Sequence, residues 1–97
     1  MKTFYGEKHE IQVLNETDHY LLLKRTRDDD GVPEADGFTV VGVDFDKGQV
    51  YDAMPGDAPT DGGSWFAGLT YKGICYVAGW YSRSYARRIF RKCKAEE

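Results

Sequence analysis

Residues 38–53 read FTVVGVDFDKGQVYDA. Phe38 to Phe45 is rich in β-branched and aromatic side chains, which suit a pleated and half-buried surface. Asp46-Lys47-Gly48 supplies turn chemistry and Gln49 to Ala53 forms a second short run, so the stretch predicts a β-hairpin. Toward the N-terminus, Glu10 to Asn15 and His19 to Arg25 flank the polar Glu16-Thr17-Asp18 and predict a hairpin of their own. The second of these runs contains Leu21, Leu22 and Leu23 in succession. Neighbouring strand residues point to opposite faces, so three leucines in a row imply a strand covered on both sides.

Toward the C-terminus, Met54 to Gly68 carries two prolines and four glycines and predicts a long irregular loop, with one short helical turn around Trp65 and Phe66. Tyr71 to Tyr81 is apolar on both alternating faces and predicts a central strand. Ser82 then has the chemistry of an N-cap for a helix from Arg83 to about Lys94. On that helix Tyr85, Ala86, Ile89, Phe90 and Cys93 form one apolar stripe, while Arg83, Arg87, Arg88, Arg91, Lys92 and Lys94 occupy the remainder. Lys92 and Lys94 would also complement the helix dipole. The expected fold class is α+β, a mainly antiparallel sheet of about five strands with one C-terminal amphipathic helix packed on it, in a single domain spanning residues 1–97.

The chain has 97 residues, of which 41% are hydrophobic and 30% charged, proportions of a folded domain rather than a disordered chain. No apolar run approaches the ~20 residues needed to cross a bilayer, and MKTFYGEKHE lacks a signal-peptide core, so no membrane association and a cytoplasmic location are expected. Cys75 and Cys93 lack metal-type spacing and are expected as reduced, packed thiols, although a disulfide between them is left open. The net charge of −3 conceals a strong polarity: +1 over residues 1–27, −9 over 28–61 and +5 over 62–97. Such asymmetry bears on partners rather than on fold.

Residues 27–36, RDDDGVPEAD, invite a metal reading. With Gly31 on the glycine of an EF-hand loop, Thr26 stands where the first aspartate belongs and Gly37 where the bidentate glutamate belongs. Asp57, Asp61 and Gly62 fail in the same way, with Gly68 at the glutamate position, and His9 and His19 have no paired cysteines to make a zinc site. The glycines around Ser64 form neither a dinucleotide turn, nor a P-loop, nor a nucleophile elbow. No pair of carboxylates is singled out for acid–base work. No cofactor, metal or catalytic residue is therefore expected, and the chain does not read as an enzyme. Lys72-Gly73-Ile74-Cys75-Tyr76-Val77 resembles part of the RNP1 strand of RNA-recognition motifs, with Ile74 in place of the first stacking aromatic, and no helix follows the first strand as that family requires.

The remaining chemistry is negative charge. Asp28, Asp29, Asp30, Glu34 and Asp36 precede the central hairpin, which itself carries Asp44, Asp46 and Asp52. Strand residues at i and i+2 share a face at a separation of about 6.6 Å, of the same order as successive nucleic-acid phosphates, so Asp44 and Asp46 could imitate a backbone if the strand continues to Asp46. A two-residue turn would place Asp52 opposite Val43, and a three-residue turn would place it opposite Gly42 on Asp44's face. Tyr51, Trp65 and Phe66 are candidate aromatic anchors beside such a display.

A small chain, acidic in one continuous region and without a catalytic signature, resembles the phage and prophage proteins that inhibit bacterial CRISPR effectors by mimicking DNA. The residues carrying the resemblance are Asp28, Asp29, Asp30, Glu34, Asp36, Asp44, Asp46 and Asp52. These inhibitors share no common motif or fold, so the likeness is one of size and charge. It implies a protein partner with a basic nucleic-acid-binding groove, such as the DNA-recognition surface of a type I surveillance complex, and action in the bacterial cytoplasm. Two alternatives stand beside it: a nucleic-acid-binding module using the basic C-terminal helix and the aromatic strand, and a phage structural or assembly protein.

Overall fold

A computed structural model describes residues 11–26, 37–54, 68–70, 73–74 and 78–97. Four strands, β1 (Ile11–Glu16), β2 (Tyr20–Arg25), β3 (Phe38–Asp44) and β4 (Gln49–Asp52), form an antiparallel meander in the order β1-β2-β3-β4. One long helix, α1 (Arg83–Glu96), packs on it. The α+β class and both hairpins agree with the expectation, and the strand count differs by one.

The missing strand is the one expected over Tyr71 to Tyr81. Gly73 and Ile74 are helical, with the Ile74 N–H bonded to the Thr70 carbonyl at 2.9 Å and the Ala78 N–H bonded to the Ile74 carbonyl at 2.8 Å. Ile74 is fully buried in the core. An apolar run without polar alternation fits a buried helical turn as well as a buried strand, so periodicity alone could not separate them. Within the RNP1-like stretch Gly73 and Ile74 are helical rather than extended, and Lys72 and residues 75–77 lie outside the described residues.

Burial of Leu21, Leu22 and Leu23 on both sides of β2 is realised. One face of the sheet carries Ile11, Leu21, Leu23, Val41, Val43 and Val50, covered by Leu69 and Ile74 with Ala78 and Trp80. The other carries Leu22, Phe38 and Val40, covered by Met54 and by Ala86, Ile89 and Phe90 of α1. The sheet is therefore a middle layer, and α1 closes one side only.

Two devices set the helix in place. Phe38 and Tyr81 exchange backbone hydrogen bonds, Phe38 N–H to the Tyr81 carbonyl at 3.1 Å and Tyr81 N–H to the Phe38 carbonyl at 2.7 Å, so Tyr81 takes the place beside β3 beyond the reach of β4. Ser82 then caps the helix, its hydroxyl accepting the Tyr85 N–H at 3.4 Å. The apolar stripe read from the sequence, including the half-buried free thiol of Cys93, faces the sheet. Fourteen residues of helix span about 21 Å. Seven residues of β3 span about 23 Å, so α1 ends level with the far end of the sheet. Among the described residues no helix is long and apolar enough to cross a membrane.

Candidate functional site

In an up-and-down meander the β1–β2 and β3–β4 turns lie at the same end, and here they are tied together, the Val43 N–H bonding to the His19 carbonyl at 2.8 Å. The C-terminus of α1 arrives at that end too. The three meet around an open groove of about 700 Å³ lined by Asp18, His19, Tyr20, Asp44, Asp46 and Tyr51, with Glu97, Val43 and Phe45 completing it. Among the described residues no lysine or arginine lines it. The exposed carbonyls of the helix C-terminus add a negative dipole end to the four carboxylates, offset in part by Lys94 in the last turn.

Each carboxylate is placed by a local cause. Asp44 ends β3 and accepts the Lys47 N–H at 3.1 Å, a side-chain closure of the hairpin turn completed by Gly48 at φ 65°. Asp46 sits exposed in that turn. Glu97 folds back over the first turn: its Oε1 accepts the Thr17 hydroxyl at 2.7 Å and the His19 N–H at 2.9 Å, and lies 3.0 Å from His19 Nδ1. The Thr17 hydroxyl bond foremost, followed by the contacts with His19, holds the Glu97 carboxyl below the usual glutamate range.

The floor is built from two tyrosines around a glycine. Tyr20 and Tyr51 are the cross-strand partners of Gly42 on its two sides. Gly42 has no side chain, so the Tyr51 ring lies over it, and a Cβ there would overlap the ring. The Tyr51 ring thus stands on the same face as Tyr20, across Gly42. Burial first, and the neighbouring Tyr20 hydroxyl second, push the Tyr51 hydroxyl up to about 12. Tyr51 is half-buried and held, so it forms part of the groove wall rather than the protruding anchor expected from the sequence.

Two further expectations are corrected. β3 stops at Asp44, and Phe45 to Gly48 form a four-residue turn, so Asp44 and Asp46 do not repeat along one strand face. Their proximity comes from the turn instead. That turn, longer by two residues and by one than the two lengths considered, pairs Asp44 with Gln49 and Asp52 with Val41. Asp52 therefore lies on the face opposite Asp44. Its carboxylate accepts the Met54 N–H at 2.8 Å, while burial, opposed by the Met54 and Gly79 backbone N–H groups, pushes its carboxyl up. Asp52 thus fixes the chain just past β4 and does not line the groove of Asp44 and Asp46.

Asp28, Asp29, Asp30, Glu34, Asp36, Trp65 and Phe66 fall outside the described residues. The flanks of the acidic stretch, Thr26 and Gly37, stand at the end of the sheet away from the groove, where the Arg25 N–H bonds to the Gly37 carbonyl at 2.6 Å. Of the sequence candidates, the structure brings together Asp44, Asp46 and Tyr51. It adds Asp18, His19, Tyr20 and Glu97, whose only sequence signal was the pairing of two hairpins, which places their turns at one end.

The arrangement suits recognition of positive charge. Among the described residues no group of three or more histidine, cysteine or carboxylate side chains converges to hold a metal ion, so the carboxylates ring the groove rather than meet in it. No protein family, curated protein or solved structure shows significant similarity to the chain.

Proposed function

We propose that the protein is an inhibitor that offers this acidic groove to the basic DNA-recognition surface of a bacterial CRISPR effector, such as a type I surveillance complex, and so blocks target DNA binding. The observation that carries the reading is the gathering of Asp18, Asp44, Asp46 and Glu97 around one groove with no lysine or arginine among the described residues of its lining. Four carboxylates in such an array attract lysine- and arginine-rich surfaces, speed encounter and discriminate against acidic partners. The Tyr20 and Tyr51 hydroxyls add neutral hydrogen-bonding groups to the same wall. Mimicry of this kind uses a ring of charge at the end of a sheet, not a linear row along one strand.

The test is a gel shift of target DNA by a purified type I surveillance complex, titrated with the protein and with an Asp18→Asn, Asp44→Asn, Asp46→Asn variant. Inhibition by the unaltered chain should weaken about tenfold or more in the variant and in raised salt. Equal inhibition by both proteins would refute the role of the groove. Retention of DNA by the protein alone at low salt would favour a nucleic-acid-binding module instead.

A further inference from the structure

We infer that a second groove, between the edge strand β1 and the outer face of α1, docks an acidic amphipathic peptide segment of a partner protein. This groove has a volume of about 890 Å³ and lies at the other flank of the helix. Among the described residues its charged lining is Lys24, Arg83, Arg87 and Arg91, with no carboxylate. The three arginines recur every fourth residue, so they stand on one helix face in steps of about 6 Å. Carboxylates at the same spacing on a partner helix, or on alternate residues of an extended segment, match that ladder.

Among the described residues the ladder has no neutralising partner. Among the described residues no carboxylate lies within ion-pair distance of Arg83, Arg87 or Arg91, and the first turn of α1 contains no acidic residue. Arginines at i and i+4 repel, and Arg83 opposes the dipole at the helix start, so among the described residues this flank of α1 concentrates positive charge. The opposite wall supplies the apolar element. The β1–β2 register shifts between Val13 and Asn15, leaving Leu14 as the extra residue of a bulge. Leu14 is 45% exposed, the large hydrophobic most open to water among the described residues, and it lines this groove. Gln12 and Asn15 on either side of it can bond to a peptide backbone.

An apolar anchor beside a ladder of cations selects a peptide carrying both leucine-like side chains and carboxylates. Single-stranded nucleic acid fits less well, because the groove's rings, Phe38 at 7% and Phe90 at 3% exposure, are buried and offer no stacking platform. Tyr85 and Trp80 are covered by the Arg88 and Arg25 guanidinium groups, whose central carbons lie 5.2 Å and 4.5 Å from the ring centroids. A second copy of the chain would have to bring its acidic groove to this one, and two concave surfaces do not interlock.

The test uses the full chain and a fluorescein-labelled peptide of about 16 residues with leucines at helical spacing and glutamates elsewhere, read by fluorescence anisotropy. The peptide should bind. Arg87→Glu with Arg91→Glu should weaken it about tenfold or more, and should restore binding to a peptide with lysine in place of glutamate. Leu14→Ser, a change at an exposed side chain, should weaken it about fivefold with unchanged circular dichroism, while Asp44→Asn with Asp46→Asn should leave it unaltered. Absence of binding, or binding insensitive to both groove variants, overturns the inference. Tighter retention of an oligothymidine than of the peptide overturns it in favour of nucleic acid. A concentration-dependent oligomer dispersed by the arginine variant overturns it in favour of self-association.

Discussion

Gly42→Ala is the substitution that most directly probes how the acidic groove is built. In most strands this exchange is favourable, by about 0.5–1 kcal/mol, because alanine loses less conformational freedom than glycine. At Gly42 the new Cβ would overlap the Tyr51 ring, which must leave its place over β3. Overpacking of that kind costs about 1–3 kcal/mol, and displacing the half-buried Tyr51 ring from its packing adds about 1 kcal/mol. The net expectation is a destabilisation of about 2 kcal/mol, a fall in Tm of about 8–15 °C for a domain of this size. In a Tyr51→Ala background the clash is absent and Gly42→Ala should become neutral or stabilising, giving a coupling of about 2 kcal/mol in a double-mutant cycle followed by urea denaturation. The single variant should also bring the Tyr51 hydroxyl down from about 12 toward the ordinary tyrosine range, visible in alkaline phenolate absorbance. A Gly42→Ala cost that is the same with and without Tyr51 would refute the packing argument.

Glu97→Gln tests the latch over the first turn. The Glu97 carboxyl is held below its unfolded value, so its stabilisation is present above the unfolded value and is lost as pH falls through the lowered folded one. The variant should show a shallower loss of stability between about pH 6 and about pH 3 in denaturant titrations, and superimposable acid limbs would exclude the latch. Thr39 is fully buried, and its hydroxyl has no hydrogen-bond partner. Thr39→Val should therefore stabilise by about 1 kcal/mol in thermal unfolding, whereas a destabilised variant would mean that the hydroxyl is satisfied.

The elements of the fold were legible where hydrophobic period, turn chemistry and caps agreed. Leu21 to Leu23 announced a strand buried on both faces, and Ser82 with the Tyr85 to Cys93 stripe announced the helix and its contact side. Reading failed at Tyr71 to Tyr81, where an unbroken apolar run has no period to distinguish helix from strand. It failed more instructively at Asp44, Asp46 and Asp52, whose positions depend on whether the turn between β3 and β4 holds two, three or four residues. One residue of turn length moves Asp52 to the other face of the sheet.

What the amino-acid sequence determined by itself was therefore local and compositional: an α+β chain, a polarised charge distribution and an amphipathic basic helix. The tertiary structure decided which charges act together. Asp18, Asp44, Asp46 and Glu97 are separated by up to 79 positions in the chain, and become neighbours because a meander places two turns at one end and α1 matches the sheet in length. Lys24 and the arginine ladder of α1 join in the same way around Leu14. Sequence spacing encodes faces within one element, whereas a groove is made where elements meet, and that depends on register, bulges and lengths that only packing settles.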